Sequence, residues 1–272
     1  MPKERILITV KTYPTLSSKY DEVVCTAGLR EDGTWVRLYP IPFRKLDEIE
    51  QYKKFDIVEV DLEKNKSDPR PESYRIKTGI KIVGHIDTQQ QWFERCQRVL
   101  FALQVYDDFG KLIEANKSEE NVSLATFKPA SIKGLLVEED IREWDAGKLE
   151  MVRLRGQQNQ LFADNDKVFS VVRKLPYKFK YVFTDSTGRE RTMSISDWEL
   201  GALFWKELQR FGGDESKAVE SVRHKYLVEL VNQRNIHFFV GTTQVWDSQN
   251  APNPFMIIGV FSPPLILQSA LF

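Results

Sequence analysis

The sequence predicts an α+β fold, with an N-terminal small β-barrel (OB-like) followed by a second β-rich unit with two helices. Three observations predict this class. Aromatic residues make up 12% of the 272 residues, and aromatic side chains favour strands. Short apolar segments separated by turn residues fill the first hundred positions, as in small barrels. Two segments of helical periodicity follow a hairpin pattern in the second half.

The N-terminal part is predicted to hold five strands and one helix. The strands cover residues 5–13, 22–29, 34–39, 55–63 and 75–86. The second and third flank Glu31-Asp32-Gly33, a turn sequence that predicts a hairpin. Apolar side chains recur at helical spacing from Trp92 to Leu103, which predicts a helix over residues 88–104.

The second half is predicted to begin with a connection. Residues 107–121 are charged and include Gly110 and Asn116, which predicts a loop or linker. Strands are predicted over residues 131–139, 177–184, 191–195, 236–243 and 255–261, and helices over residues 197–211 and 214–232. Ser196, followed three residues later by Glu199, predicts the start of the first helix as a capping box.

These elements predict four parts of the chain. They are a β-barrel-like domain over residues 1–106, a connecting segment over 107–166, a second α+β domain over 167–264, and a C-terminal tail over 265–272. No apolar run approaches the roughly 20 residues of a membrane span. Cys25 and Cys96 lie far apart in unrelated contexts, and free thiols predict a cytoplasmic protein.

The search for catalytic chemistry yields one weak candidate. The histidines and cysteines lack metal-ligand spacing, and no glycine-rich phosphate or dinucleotide motif is present, so no metal and no cofactor are predicted. Glu59, Asp61 and Glu63 alternate along one strand face, as do the acids of metal-dependent nucleases. Three acids on one face are also typical of the solvent side of a strand, so both interpretations stay open.

A second set of residues favours nucleic-acid binding. Aromatic and basic side chains interleave on the predicted barrel strands, a combination that single-strand binders use for stacking and phosphate contacts. The candidate nucleic-acid-binding residues are Lys11, Tyr13, Arg37, Tyr39, Phe43 and Arg44. The alternative is that the rings belong to the core or rim of the barrel. The 39 basic and 39 acidic residues give no net charge, so binding would depend on a local patch.

Several segments together resemble an uncharacterised bacterial family. They are Lys11-Thr12-Tyr13-Pro14, Cys25-Thr26-Ala27-Gly28, Arg37-Leu38-Tyr39-Pro40, Phe238-Phe239-Val240-Gly241 and Ile257-Ile258-Gly259-Val260-Phe261. The family is proposed to contain two OB-like units and occurs among mobile-element and phage-defence genes. The resemblance implies an OB-like fold over nearly the whole chain and assigns no catalytic residue.

The C-terminal tail resembles the Gln-x-x-Leu-Phe peptide that binds the bacterial sliding clamp. Gln268 would enter a polar pocket of the clamp, and Leu271 and Phe272 would enter an apolar one. The family pattern prefers other residues at the positions of Ser269 and Ala270. The alternative is that the apolar tail packs on the protein's own core.

Three functions follow from these patterns. The first is a nucleic-acid-binding accessory protein, active in DNA processing or defence and recruited to the replication clamp by its tail. The second is a metal-dependent nuclease that uses the acidic strand. The third is a protein-interaction scaffold that binds no nucleic acid.

Overall fold

The computed structural model describes residues 3–17, 20–101, 103–160 and 171–265 of the chain. The fold is α+β, with an N-terminal sheet curled into a half-barrel, followed by a β-rich second unit with several helices. The predicted fold class is therefore confirmed. Among the described residues, no helix is long and apolar enough to cross a membrane.

The strands and helices follow one another along the chain as follows. The strands of the half-barrel are β1 (Glu4–Lys11), β2 (Thr15–Ser17), β3 (Asp21–Arg30), β4 (Trp35–Ile41), β5 (Asp56–Val60), β6 (Leu62–Lys64), β7 (Ser73–Ile76) and β8 (Lys81–His85). Helix α1 (Gln89–Cys96) runs into a π-helical turn (Gln97–Phe101). Short 3-10 turns cover Phe43–Lys45 and Glu48–Glu50.

The second unit continues this order. Its strands are β9 (Val105–Tyr106), β10 (Leu124–Phe127), β11 (Ser131–Glu139), β12 (Tyr177–Thr184), β13 (Glu190–Ser194), β14 (His237–Thr242) and β15 (Phe255–Phe261). Its helices are α2 (Phe109–Lys117), α3 (Ala146–Gln160), α4 (Trp198–Arg210), α5 (Glu215–Arg223) and α6 (Gln244–Ser248), and a π-helical segment (His224–Asn232) extends α5.

The half-barrel sheet has two apolar faces because its strands alternate side chains between them. Its strand order is β6-β7-β4-β3-β1-β5-β8. Ile6 and Ile8 of β1 point to the inner face, where they join a core closed by Tyr52. Leu7 points to the outer face. A bulge between Ile8 and Val10 turns Val10 to the outer face as well, as an extra residue in one strand of a pair does.

The second unit packs on this outer face. One of its sheets has the order β15-β14-β10-β9 and another the order β11-β12-β13. The core on the outer face mixes residues from both units, which are Leu7, Val10, Ala27, Leu29, Phe55, Ile86, Cys96, Val99, Leu124, Phe239, Ile258 and Phe261. The half-barrel and the second unit therefore share a hydrophobic core.

The hairpin and several strands lie where the sequence predicts them, and other elements differ. The strand predicted over residues 75–86 is two strands, β7 and β8, and the second unit has α2, α3 and α6 besides the two predicted helices. The segment predicted as a loop over residues 107–121 forms α2, because Asp108 caps its first turn and Phe109 and Leu112 are buried at helical spacing. The strand predicted over residues 55–63 is interrupted at Asp61, which separates β5 from β6. Helix α4 is capped by Asp197 rather than Ser196, since the Asp197 carboxylate accepts the Glu199 amide.

Candidate functional site

Arg37, one of the predicted nucleic-acid-binding residues, lies between the half-barrel and the second unit. The residue is only 2% exposed. Its Nη1 donates to Ser123 Oγ at 2.8 Å and its Nη2 donates to the Ser123 carbonyl at 2.9 Å. The Glu72 carboxylate accepts from the Ser123 amide at 3.0 Å and from its hydroxyl at 2.7 Å. Burial lowers the pKa of Arg37, and these partners give the buried guanidinium the acceptors that it needs.

Lys11 and Phe43, two further predicted residues, contact the first residue of α4. Lys11 Nζ lies 3.9 Å from the centroid of the Phe43 ring and 4.3 Å from that of the Trp198 ring. Burial lowers the pKa of Lys11 to about 8, and the nearby Lys54 ammonium adds to this effect. Lys54 Nζ donates to the two carboxylate oxygens of Asp197 at 2.8 and 2.9 Å. These contacts join the half-barrel to the start of α4.

Tyr13 and Arg44 also make internal contacts. The Tyr13 hydroxyl donates to the carbonyl of Arg173 at 2.8 Å and accepts from Trp205 Nε1 at 2.7 Å. Arg44 Nη1 donates to Glu22 Oε2 at 2.8 Å. Burial raises the pKa of Glu22. Tyr13 therefore joins the half-barrel to the second unit directly, while Arg44 pairs with Glu22, whose carboxylate also accepts from the Val172 amide of the second unit at 2.9 Å.

The structure does not bring the six predicted side chains together on one exposed face. Tyr39, the sixth, is half-buried, and its carbonyl accepts from Asn65 Nδ2 at 3.2 Å. Their assignment to a nucleic acid stays a prediction, while the contacts give the other five side chains a structural role. Gln268, Leu271 and Phe272 of the tail lie outside the described residues.

The acidic strand does not form a metal centre in the part of the chain that the structure describes. No group of three or more His, Cys, Asp or Glu side chains there could hold a metal ion. Glu59 lies 3.6 Å from Lys3 Nζ, Asp61 lies 3.9 Å from Lys77 Nζ, and Glu63 is exposed on β6. The nuclease interpretation gains no support from this arrangement.

A pocket of about 260 Å³ opens on the outer face of the half-barrel, and we call it the outer-face pocket. Its lining residues are Arg5, Leu7, Leu29, Arg30, Glu31, Gly33, Ile57, Val83, Ile86 and Arg98. The aliphatic members come from neighbouring strands, since Leu7 pairs with Leu29 on one side and with Ile57 on the other. The pocket thus has an apolar floor built by the sheet and a charged rim. A shallower second pocket shares Arg5, Arg30 and Glu31 with it.

The arginines at the rim differ in how firmly they are held. Arg30 is fixed, because its Nε donates to Glu4 Oε2 at 2.6 Å and its guanidinium lies 4.7 Å from the centroid of the Tyr74 ring. Arg5 has only a 4.0 Å contact with Glu31, and both side chains are more than half exposed. Arg98 is exposed and makes no ion pair with any described residue. Arg5 and Arg98 are therefore available to an anionic ligand.

Arg98, on the π-helical turn that follows helix α1, lines the outer-face pocket. Cys96 and Val99 are buried against the sheet, while Phe93 is 52% exposed and Phe101 is 75% exposed. Arg98 lies between the two rings in the sequence. This helical region thus presents two aromatic rings to solvent and contributes Arg98 to the pocket, and π-helical turns are frequent at functional sites.

The sequence contained a signal for this site that the predicted helix did not use. Phe93, Arg98 and Phe101 lie outside the apolar stripe of Trp92, Cys96, Leu100 and Leu103 that predicts the helix, and all three are exposed. The apolar floor was harder to find. Leu7 and Ile57 have the pattern of ordinary strand residues, and the pocket also needs Ile86 and Arg98, which are distant from Leu7 in the sequence.

The comparison with family models divides the chain in two. The model of the domain of unknown function DUF8758 matches residues 2–100, and that of the domain of unknown function DUF8757 matches residues 107–272. The chain belongs to the DUF8757 family, whose model covers more than half of it. The outer-face pocket lies in the segment that matches DUF8758. A comparison with curated proteins finds no matching sequence.

Proposed function

We propose that the protein is a non-enzymatic accessory protein that binds single-stranded nucleic acid in the outer-face pocket. One observation carries this proposal. The outer-face pocket combines an apolar floor with Arg5 and Arg98, whose guanidinium groups have no hydrogen-bond partner among the described residues, and the helical segment that supplies Arg98 also exposes Phe93 and Phe101. This combination corresponds to the stacking surfaces and cationic groove of single-strand binders.

Each part of the site suits one part of a single strand. A base removed from its stack can lie against Leu7, Leu29 and Ile57, which bury its apolar faces. The guanidinium groups of Arg5 and Arg98 can contact the flanking phosphates. A neighbouring base can stack on Phe101. Base pairs cannot enter a pocket of about 260 Å³ without opening, so a duplex should bind more weakly.

The charges around the pocket predict how salt affects binding. Lys3, Arg5, Arg30 and Arg98 are balanced by Glu4, Glu31, Asp32 and Glu59 across the two pockets. Arg5 and Arg98 line the outer-face pocket itself and are the two cations assigned to phosphates. Each phosphate contact with a single strand contributes about −0.7 to the slope of log K against log salt. Two contacts therefore give a slope of about −1.4, far shallower than for a basic groove.

The proposal extends to the setting predicted from the sequence. The family resemblance implies a role in DNA processing or phage defence. The Gln268, Leu271 and Phe272 side chains would recruit the protein to a sliding clamp. The clamp interaction is tested by titrating a bacterial clamp with a peptide of the last five residues. No saturable binding would exclude it.

The binding of nucleic acid is tested with labelled 20-mers, single-stranded and double-stranded, across a salt series. The informative variant is Arg5→Ala/Arg98→Ala. The matched control is Arg153→Ala/Arg189→Ala, which removes the same charge from two exposed positions of the second unit. We expect the single strand to bind the wild type and the control equally and the informative variant at least 10-fold more weakly, because two charge-assisted contacts are lost.

Two results would contradict the proposal. The first is no binding of the single strand at low salt. The second is equal loss of binding in both double variants, since that would indicate a diffuse charge effect. If no single strand binds, the remaining interpretation of the outer-face pocket is a protein-binding surface, because balanced charges around an exposed apolar surface also suit a protein interface.

A further inference from the structure

A carboxylate stands at the mouth of the outer-face pocket, where the proposed function places phosphates. Glu31 lines both pockets, and its side chain is 74% exposed. Its nearest described cation is Arg5, whose Nη1 lies 4.0 Å from Glu31 Oε1. A carboxylate repels a polyanion, so its place at this mouth weakens binding unless it contacts the base.

The chemistry of a carboxylate limits which base edge it can contact. An ionised carboxylate only accepts hydrogen bonds, and its two oxygens match two adjacent N–H donors. Unpaired bases in single strands are read along their Watson–Crick edges. The guanine edge presents N1–H and N2–H side by side, with the acceptor O6 next to them. Thymine presents acceptors on both sides of a single N–H.

We propose that the outer-face pocket recognises a guanine of the single strand, a specificity that rests on the proposed function. Glu31 accepts from guanine N1–H and N2–H, and one N–H of the Arg5 guanidinium beside it donates to O6, while its other N–H groups face the flanking phosphate. Glu31 supplies acceptors and Arg5 a donor, with Glu31 Oε1 and Arg5 Nη1 4.0 Å apart. The pair is therefore complementary to the donor, donor, acceptor order of the guanine edge. The aliphatic floor of Leu7, Leu29 and Ile57 covers the face of the purine.

The test changes one functional group of the ligand. Three oligothymidylates are compared at one salt concentration, carrying at the centre a single guanine, a single hypoxanthine or no purine. Hypoxanthine lacks only the N2 amino group of guanine. For the wild type we expect the guanine strand to bind roughly 10-fold more tightly than the hypoxanthine strand, the size of effect that a bidentate base contact gives.

Two substitutions assign the preference to Glu31. In Glu31→Gln the amide offers one acceptor and one donor, so the ratio of the guanine to the hypoxanthine strand should fall to about 2 or less. Asp32→Asn is the matched control. Asp32 is the adjacent exposed acid of the same turn, it lines only the second pocket, and it contacts Thr34. This variant should keep the wild-type ratio.

The outcomes separate this inference from the proposed function. Equal, measurable binding of the three strands by the wild type would overturn guanine recognition and leave single-strand binding intact. A guanine preference that survives Glu31→Gln would overturn the role of Glu31. No binding of any strand would overturn the proposed function, and guanine recognition with it.

Discussion

The buried imidazole of His237 should make the protein sensitive to mild acid. His237 opens β14 and is 5% exposed, and its Nδ1 lies 3.0 Å from the carbonyl of Asn235. Burial lowers its pKa from 6.5 to about 4, and the nearby Lys128 ammonium adds to this effect. The unfolded chain therefore takes up a proton at a higher pH than the folded chain does.

The sign and size of the effect follow from this difference. The pKa of the folded state is below that of the unfolded state, so the contribution of His237 to stability is complete above pH 6.5. It is lost as the pH falls towards 4. At about 1.4 kcal/mol per unit, the whole effect is about 3 kcal/mol, of which about 2 kcal/mol is lost by pH 5.

The assay is urea unfolding at pH 7.5, 6 and 5, with His237→Asn as the comparison. The asparagine Nδ2 can still donate to the Asn235 carbonyl, but it does not titrate. Between pH 7.5 and 5 the wild type should lose about 2 kcal/mol more than the variant, which is about 0.7 M urea for a slope near 3 kcal/mol per M. Buried acids such as Glu22, with its raised pKa, change both proteins equally. An identical pH dependence in the two proteins would refute this reasoning.

Two further predictions concern the interface between the half-barrel and α4. The pKa of Lys11 is about 8 in the folded protein and 10.5 in the unfolded chain, so the free energy of unfolding of the wild type should rise by up to about 3 kcal/mol between pH 8 and 10.5. Lys11→Met should remove this rise. Urea unfolding at pH 7.5 and 10 measures it, and a variant with an unchanged pH dependence would disprove it. Gly201→Ala should destabilise by about 1–3 kcal/mol, because the added methyl carbon would lie 2.1 Å from Tyr13 Cδ2. A thermal melt checks this second prediction, and an unchanged or higher melting temperature would count against it.

Local sequence patterns were enough for the hairpin and several strands. Glu31-Asp32-Gly33 was read correctly as a turn, and Gly33 adopts a positive φ of 83° there, which glycine accepts without strain. Leu29 and Trp35 pair across that hairpin. Such elements depend on residues a few positions apart, and the turn chemistry is visible in the sequence.

The error at α2 shows where composition misleads. Gly110 and Asn116 indicated a loop, yet Asp108 caps the helix and Phe109 and Leu112 place its apolar side in the core. Tertiary burial outweighs low helix propensity when an apolar stripe is present. The stripe was in the sequence, but the charged residues around it concealed its periodicity.

The site could not be predicted because its determinants are distant in sequence. Arg37 and Lys11 have the residue types of a nucleic-acid contact, but Ser123 and Trp198 bury them. No local pattern near Arg37 announces a partner 86 residues away. The outer-face pocket likewise combines distant residues, from Leu7 and Leu29 on the sheet to Arg98 on the π-helical turn.

The buried polar contacts between the half-barrel and the second unit limit how this chain could be divided in evolution or in the laboratory. A gene encoding only the segment before residue 101 would yield a protein whose Arg37 and Lys54 lack the Ser123 and Asp197 oxygens that now accept their hydrogen bonds. It would also expose Leu7 and Val10 to water. Such a fragment would be prone to aggregate, so the outer-face pocket is not a transferable module. Recombination between the two family segments should therefore keep together the residues on both sides of their interface.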